Sequence, residues 1–403
     1  MALYAFDGTG DRWNPGTRWN MADLQTLSAD ERQELLATIT PTTKATKNRF
    51  LTNVVFFYKE YAASGLQAEY FPGVGSGAWF ESDTGKTLDF ILGGAFGIGA
   101  QGIVNQAFQR LRRNFERGDR EIDIIGFSRG AAIARMFADR VALDYRKLDK
   151  GLERPPEIRF IGLFDTVASF GNPLNDNEVL FQNNLPWIVR NAFHAMSLDL
   201  NRVGFGLDRA YGNHVLEVWF RGGHGDVGGN SALANGQPNR LRTNISLNFM
   251  LKKAMASGIK LTTRGLAGIE NPSQASDYPI DIHAPVSVAD NSVLNKEAGL
   301  DPSRRPRRSD VFHYSLLDAQ GQELRPIDTW TQQPLASPVK ITNSSQNVFE
   351  ELHNELQESD LRLLHLTPAL AKRFPDTQSI YDYLSIATTD PAPPLPPQSP
   401  PAP

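Results

Sequence analysis

No cysteine occurs anywhere in the 403 residues. Disulfides, thiolate metal sites and cysteine nucleophiles are therefore excluded, and the fold is indifferent to redox compartment. Long apolar runs are missing as well: no stretch reaches the roughly 18 uninterrupted apolar residues that span a bilayer. The nearest, Leu88–Val104, is glycine-rich and carries Asp89 and Gln101. Charge of one sign is also scarce, with a formal net charge of −4, so no global field draws the chain to nucleic acid or to an anionic membrane. Local basic runs at Arg110–Arg120 and Ser303–Arg308 read as solvated faces or loops. The opening MALYAFDGTGDRW has no basic segment followed by an apolar run, so no secretory signal is expected.

What the chain does contain is a hydrophobic fraction of 40%, enough for a sizeable buried core. Five short runs rich in β-branched or aromatic residues end in turn residues and predict buried strands: Ala2–Phe6, Gln67–Phe71, Glu121–Phe127, Ile158–Phe164 and Leu216–Phe220. Between them, helical spacing predicts Asn48–Ala62 and Ile103–Phe115. Strands alternating with helices imply an α/β fold, a doubly wound, mostly parallel sheet with helices on both faces. One catalytic domain over residues 1–389 is expected. Within it, about 261–340 forms an irregular covering insertion and about 347–366 an amphipathic helix; residues 390–403 are a disordered proline-rich tail.

Four of the predicted strands end in polar clusters: DGTG, SRG, DTVAS and RGGHGDVGG. The carboxyl ends of parallel strands share one edge of a sheet, where ligands bind, so Asp7, Ser128, Asp165 and His224 are expected to converge. Ser128 stands in Gly-Phe-Ser-Arg-Gly, a pattern that chance supplies in roughly one chain in six of this glycine content. Its setting, a strand before and an alanine-rich helix after, matches a nucleophile turn, and Ser, Asp, His is the chain order of α/β-hydrolases. His224 is then the base for the Ser128 hydroxyl, and Asp165 the acid that holds its tautomer. The N–H of Arg129 is one expected oxyanion donor, with Gly8 or Thr9 supplying the second. No cofactor and no metal are needed by this chemistry.

Each residue has a plainer alternative. Ser128 would cap a helix, Asp165 a turn, and His224 would be structural. Asp7, His224 and Asp226 would instead bind a divalent cation and activate water, although His-x-Asp is weak ligand spacing. His194 and Asp199 are spaced for neighbouring helical turns and read as packing or surface residues bordering the site. Gly97–Gly102 matches G-x-G-x-x-G but lacks the strand and acid of a dinucleotide site. Trp79–Phe80, Leu88–Phe96 and Leu185–Val189 would form a mobile rim or lid over an acyl groove, or simply core. A soluble acyl hydrolase, or a silent binding domain on the same fold, remains a competing reading.

Six blocks occur in order: YAFDGTGDRW, FPGVGSG, IDIIGFSRGAAIARMFA, IGLFDTVASFG, FHAMSLDLNR and EVWFRGGHGDVGGN. From Ala2 to about Gly258 the chain thus resembles a bacterial and fungal α/β-hydrolase domain family that includes type VI secretion lipase effectors. The resemblance implies Ser128 as nucleophile, Asp165 as acid and His224 as base. It further implies a phospholipase A type activity on membrane phospholipids, with peripheral membrane contact and no nucleic-acid partner. The implied partners are an immunity protein and a spike component. The implied route is synthesis in the cytoplasm without a signal peptide and export into the periplasm or cytoplasm of a target cell.

Overall fold

A computed structural model describes residues 2–8, 11, 51–74, 95–168, 184–199, 206–212, 215–233, 235–263, 276–286, 302–304 and 311–316. In chain order the main elements are β1 (Ala2–Phe6), α1 (Asn53–Ala63), β2 (Gln67–Phe71), α2 (Ala95–Glu116), β3 (Ile122–Phe127) and α3 (Arg129–Asp144). There follow β4 (Ile158–Phe164), β5 (Ala192–Ser197), β6 (Val215–Phe220), α4 (His224–Gly228), α5 (Arg240–Ala256) and β7 (Val311–Phe312). The strands form a seven-stranded sheet in the order β2-β1-β3-β4-β5-β6-β7, and every pair is parallel.

All five expected strands are present, and two more were not legible. The β5 sequence AFHAMS contains no β-branched residue, and its polar positions suggested helical turns. Its strand character comes from its neighbours instead, with Leu163 and Glu217 flanking His194 in register on either side. The two-residue β7 pairs Val311 and Phe312 with Val218 and Trp219, inside the segment expected to be irregular. Helix α1 starts at Asn53 rather than Asn48. Thr52 is extended and its side chain accepts the Val55 N–H, which makes it the N-cap.

The sheet divides two cores. One packs α2 and α3 against side chains such as Tyr4, Phe6, Ile122 and Ile161. The other packs α1 and α5 against Leu3, Ala5, Ile125 and Phe160 on the opposite face. Connections leave β1 and β3 in opposite directions, so the crevice outside their carboxyl ends is the topological switch point where doubly wound sheets bind ligands. Gly97–Gly102 lies wholly within α2, which removes the strand-to-helix turn a dinucleotide fingerprint requires.

Leu185–Val189 does not border that crevice. Ile158 N, at the start of β4, donates to Ile188 O, which puts the segment at the amino edge of the sheet. Leu185, Ile188 and Val189 are core residues there and only Trp187 is exposed, so the lid expectation fails for this segment. Trp79–Phe80, most of Leu88–Phe96, the helix expected near 347–366 and the tail at 390–403 lie outside the described residues, as does most of 261–340. Among the described residues, no helix is long and apolar enough to cross a membrane.

Candidate active site

Ser128 sits between β3 and α3 with φ 57° and ψ −128°, a backbone state that costs a non-glycine residue on the order of 1–3 kcal/mol. The turn is held open by its surroundings. Ser128 N donates to Phe164 O at 3.0 Å, and Ser128 O accepts from Ala131 N at 3.0 Å and from Val167 N at 3.3 Å. Both flanking glycines are required sterically. A Cβ on Gly126 would come within 2.7 Å of Gly130 O, and one on Gly130 within 2.3 Å of Asp7 O. The Ser128 side chain makes no capping bond, so the helix-cap reading fails.

Asp165 follows β4, again at positive φ (41°), and is fully buried. Its Oδ1 accepts from Ser197 N at 2.7 Å and Arg304 Nη1 at 2.8 Å. Its Oδ2 accepts from His224 Nδ1 at 2.6 Å, Ser197 Oγ at 2.9 Å and Arg304 Nη2 at 3.1 Å. None of these partners lies in its own turn, so the carboxylate does not cap DTVAS. Burial alone would raise the Asp165 carboxyl. The Arg304 charge and the His224 hydrogen bond outweigh it and hold the group well below the usual carboxylate range. An ionised Asp165 accepts only, so His224 donates from Nδ1 and keeps its Nε2 lone pair for a proton.

His224 opens α4, and its ring packs 4.6 Å from that of Phe127, the residue before Ser128. The carboxyl edge therefore carries Ser128 after β3, Asp165 after β4 and His224 after β6. Arg129 opens α3 directly after the serine. Gly8 N instead donates to Asp7 Oδ1 at 2.8 Å, which corrects its expected place as an oxyanion donor. Thr9 lies outside the described residues.

Asp7 is buried at the end of β1 and accepts from Thr52 Oγ1 at 2.7 Å and from the Tyr70 hydroxyl. Burial pushes its carboxyl up, against the hydrogen bonds of Tyr70, Thr52 and Gly8. Asp226 Oδ2 accepts from Gly223 N at 3.0 Å, closing the start of α4. Among the described residues no cluster of three or more His, Asp or Glu side chains is placed to hold a metal ion, so Asp7, His224 and Asp226 do not form the alternative cation site.

His194 lies on strand β5 and Asp199 in the bend just after it, so neither sits on a helical turn. Asp199 accepts from Gly222 N at 2.7 Å and pairs with Arg221 at 3.2 Å. His194 is fully buried on β5, with Nδ1 2.9 Å from Glu217 Oε1 and Nε2 3.1 Å from Thr166 N. The backbone N–H must donate to Nε2, so the ring carries its proton on Nδ1, toward Glu217. His194 thereby anchors the peptide next to Asp165.

Arg304 was missed altogether. It belongs to the basic run expected to be solvated, yet it is fully buried against Asp165. Nothing in the local pattern of Ser303–Arg308 distinguishes an arginine that finds its partner 139 residues away.

The sequence matches the catalytic domain of the T6SS phospholipase effector Tle1-like family over residues 38–143 and 142–253. No curated protein matches it. Among solved structures, an uncharacterized protein from Pseudomonas aeruginosa aligns over 96% of this chain with 18% identity and a TM-score of 0.39. The aligned region spans 62% of that protein's chain. The family match takes in α1 through most of α5, including Ser128, Asp165 and His224. The chain belongs to the Tle1-like family of type VI secretion phospholipase effectors and matches that family's catalytic domain.

Proposed function

We propose that Ser128, Asp165 and His224 are a catalytic triad that hydrolyses acyl esters of membrane phospholipids, with phospholipase A type chemistry. The observation that carries this reading is the 2.6 Å contact between His224 Nδ1 and Asp165 Oδ2, beside a strained serine turn. Ser128 Oγ attacks the ester carbonyl while His224 Nε2 takes its proton. Arg129 N, at the start of α3, donates to the oxyanion, and Thr9 is the expected second donor. The imidazolium then protonates the leaving alcohol. Water, deprotonated by His224, releases the fatty acid and restores the serine.

Family membership supports a phospholipid substrate, an immunity protein and a secretion spike as partners, and delivery from the producing cell into a rival. The test is fatty-acid release from mixed phospholipid vesicles by the wild type and by Ser128→Ala. Release by the wild type and none by the variant is expected. Equal release by both refutes the serine mechanism. Cleavage of soluble esters without release from vesicles refutes the lipid assignment and leaves a soluble acyl hydrolase.

A further inference from the structure

We infer that Arg304 is a positioning residue for the proposed triad, a fixed countercharge that orients the Asp165 carboxylate and limits how strongly that carboxylate holds a proton on His224. The inference rests on the triad reading. It concerns a residue beyond the 253 at which the family match ends, supplied by a short 3₁₀ turn (Pro302–Arg304).

The geometry is that of a planar fork. Arg304 Nη1 reaches Asp165 Oδ1 at 2.8 Å and Nη2 reaches Oδ2 at 3.1 Å, with both side chains fully buried. Arg304 Nη1 also donates to Ser197 Oγ at 2.8 Å and to Ser197 O at 3.2 Å. The turn itself is tied down, because Ser303 Oγ accepts from Leu207 N at 2.8 Å. The Asp165 carboxylate thus receives five hydrogen bonds, against the roughly four lone pairs it offers. It has no freedom to rotate away from His224.

The fork also has an electrostatic consequence. His224 Nδ1 and Arg304 Nη2 share Asp165 Oδ2 at 2.6 and 3.1 Å, so the guanidinium lies within about 6 Å of the imidazole. An isolated buried carboxylate would raise the basicity of its histidine. A carboxylate neutralised by a buried guanidinium raises it less, so the base stays unprotonated to lower pH. Among the described residues, the other charged groups that the surrounding elements carry at this edge include Asp7 and Asp11 after β1, Arg129 and Arg135 on α3, Asp199 after β5, Asp208 beside Thr166 and Ala168, Arg221 after β6, Asp226 on α4 and Arg242 on α5. Asp199 and Arg221 pair with each other at 3.2 Å, which leaves Arg304 the cation in direct contact with the triad acid.

The test uses the full chain and a fluorophosphonate, which reacts with an activated serine and reports the state of its base without any assumption about the lipid. Labelling rates at Ser128 are measured from pH 5 to 9 for the wild type, Arg304→Met and Arg304→Lys, with near-ultraviolet circular dichroism to confirm folding. Removing the charge in Arg304→Met should move the acid midpoint of labelling up by about one pH unit or more. Arg304→Lys keeps the charge without the fork, so its midpoint should stay near that of the wild type while its maximal rate falls. A folded Arg304→Met with the wild-type midpoint and rate overturns the inference. If Arg304→Met does not fold, Arg304→Lys decides, and a maximal rate equal to the wild type overturns it. No labelling of Ser128 in the wild type overturns the triad reading itself, and this inference with it.

Discussion

The rings of Phe127 and His224 lie 4.6 Å apart, tilted by 35°. Phe127 ends β3 immediately before the serine turn, so one buried side chain couples that turn to the helix that carries His224. The contact is close on the far side too, where a Cβ on Gly228 would come within 2.0 Å of the Phe127 ring. Phe127→Leu should fold but let His224 shift. Such misplacement costs up to about a hundredfold in turnover, read as kcat on a soluble ester. Unchanged kcat would mean that the ring only fills space.

Gly130 and Gly65 offer a paired test of the serine turn. A Cβ at Gly130 would lie 2.3 Å from Asp7 O and 2.4 Å from Phe6 O, both backbone atoms that have no room to yield. Gly130→Ala should lose stability at the upper end of single substitutions, about 4 kcal/mol or more. Gly65 has φ +76° and nothing within 4 Å, so Gly65→Ala should cost about 1–2 kcal/mol from backbone strain alone. Urea unfolding of both variants checks the difference.

Asp139 on α3 should make stability depend on pH. Burial pushes its carboxyl up to about 7, with Arg135 opposing. The folded state therefore holds this proton more tightly than the unfolded chain. That contribution is fully present below about pH 4 and is lost as pH rises toward 7. Asp139→Asn should match the wild type at pH 4 and exceed it above pH 7 by on the order of 2 kcal/mol. Thermal melts at both pH values would expose a constant difference, which would defeat this account.

Glu217 should act in the opposite sense. Burial alone would raise its carboxyl, but the hydrogen bond from His194, then the Arg209 charge and the Ala210 N–H, bring it down to about 2. Its stabilising contribution is present above about pH 4.5 and disappears as pH falls toward 2. Glu217→Gln leaves Arg209 and His194 without their charged partner and should cost about 3–5 kcal/mol at neutral pH. The loss relative to wild type should shrink in acid-unfolding curves. Because His194 holds the Thr166 peptide beside Asp165, turnover should fall as well.

Trp187 is 57% exposed at the amino edge of the sheet, away from Ser128. Trp187→Ala should leave turnover unchanged on both micellar and soluble esters. A several-fold loss confined to micelles would bring this edge into contact with lipid.

The sequence by itself determined the parallel α/β architecture and the convergence of Ser128, Asp165 and His224. Each of these residues stands within a few residues of the end of a run with strong strand character, and parallel strands carry their ends to one edge. Those signals are written over fewer than a dozen neighbouring residues. The strand at Ala192–Ser197 was not legible, because it is a strand through the partners on either side and not through its own propensity. Only the tertiary structure decided that Gly8 N turns to Asp7, that His194 secures the Asp165 peptide, and that Arg304 leaves a basic run to be buried. Buried ion pairs and hydrogen bonds are energies between distant segments, set by dielectric and distance in the folded state, and they leave no period or spacing in the chain.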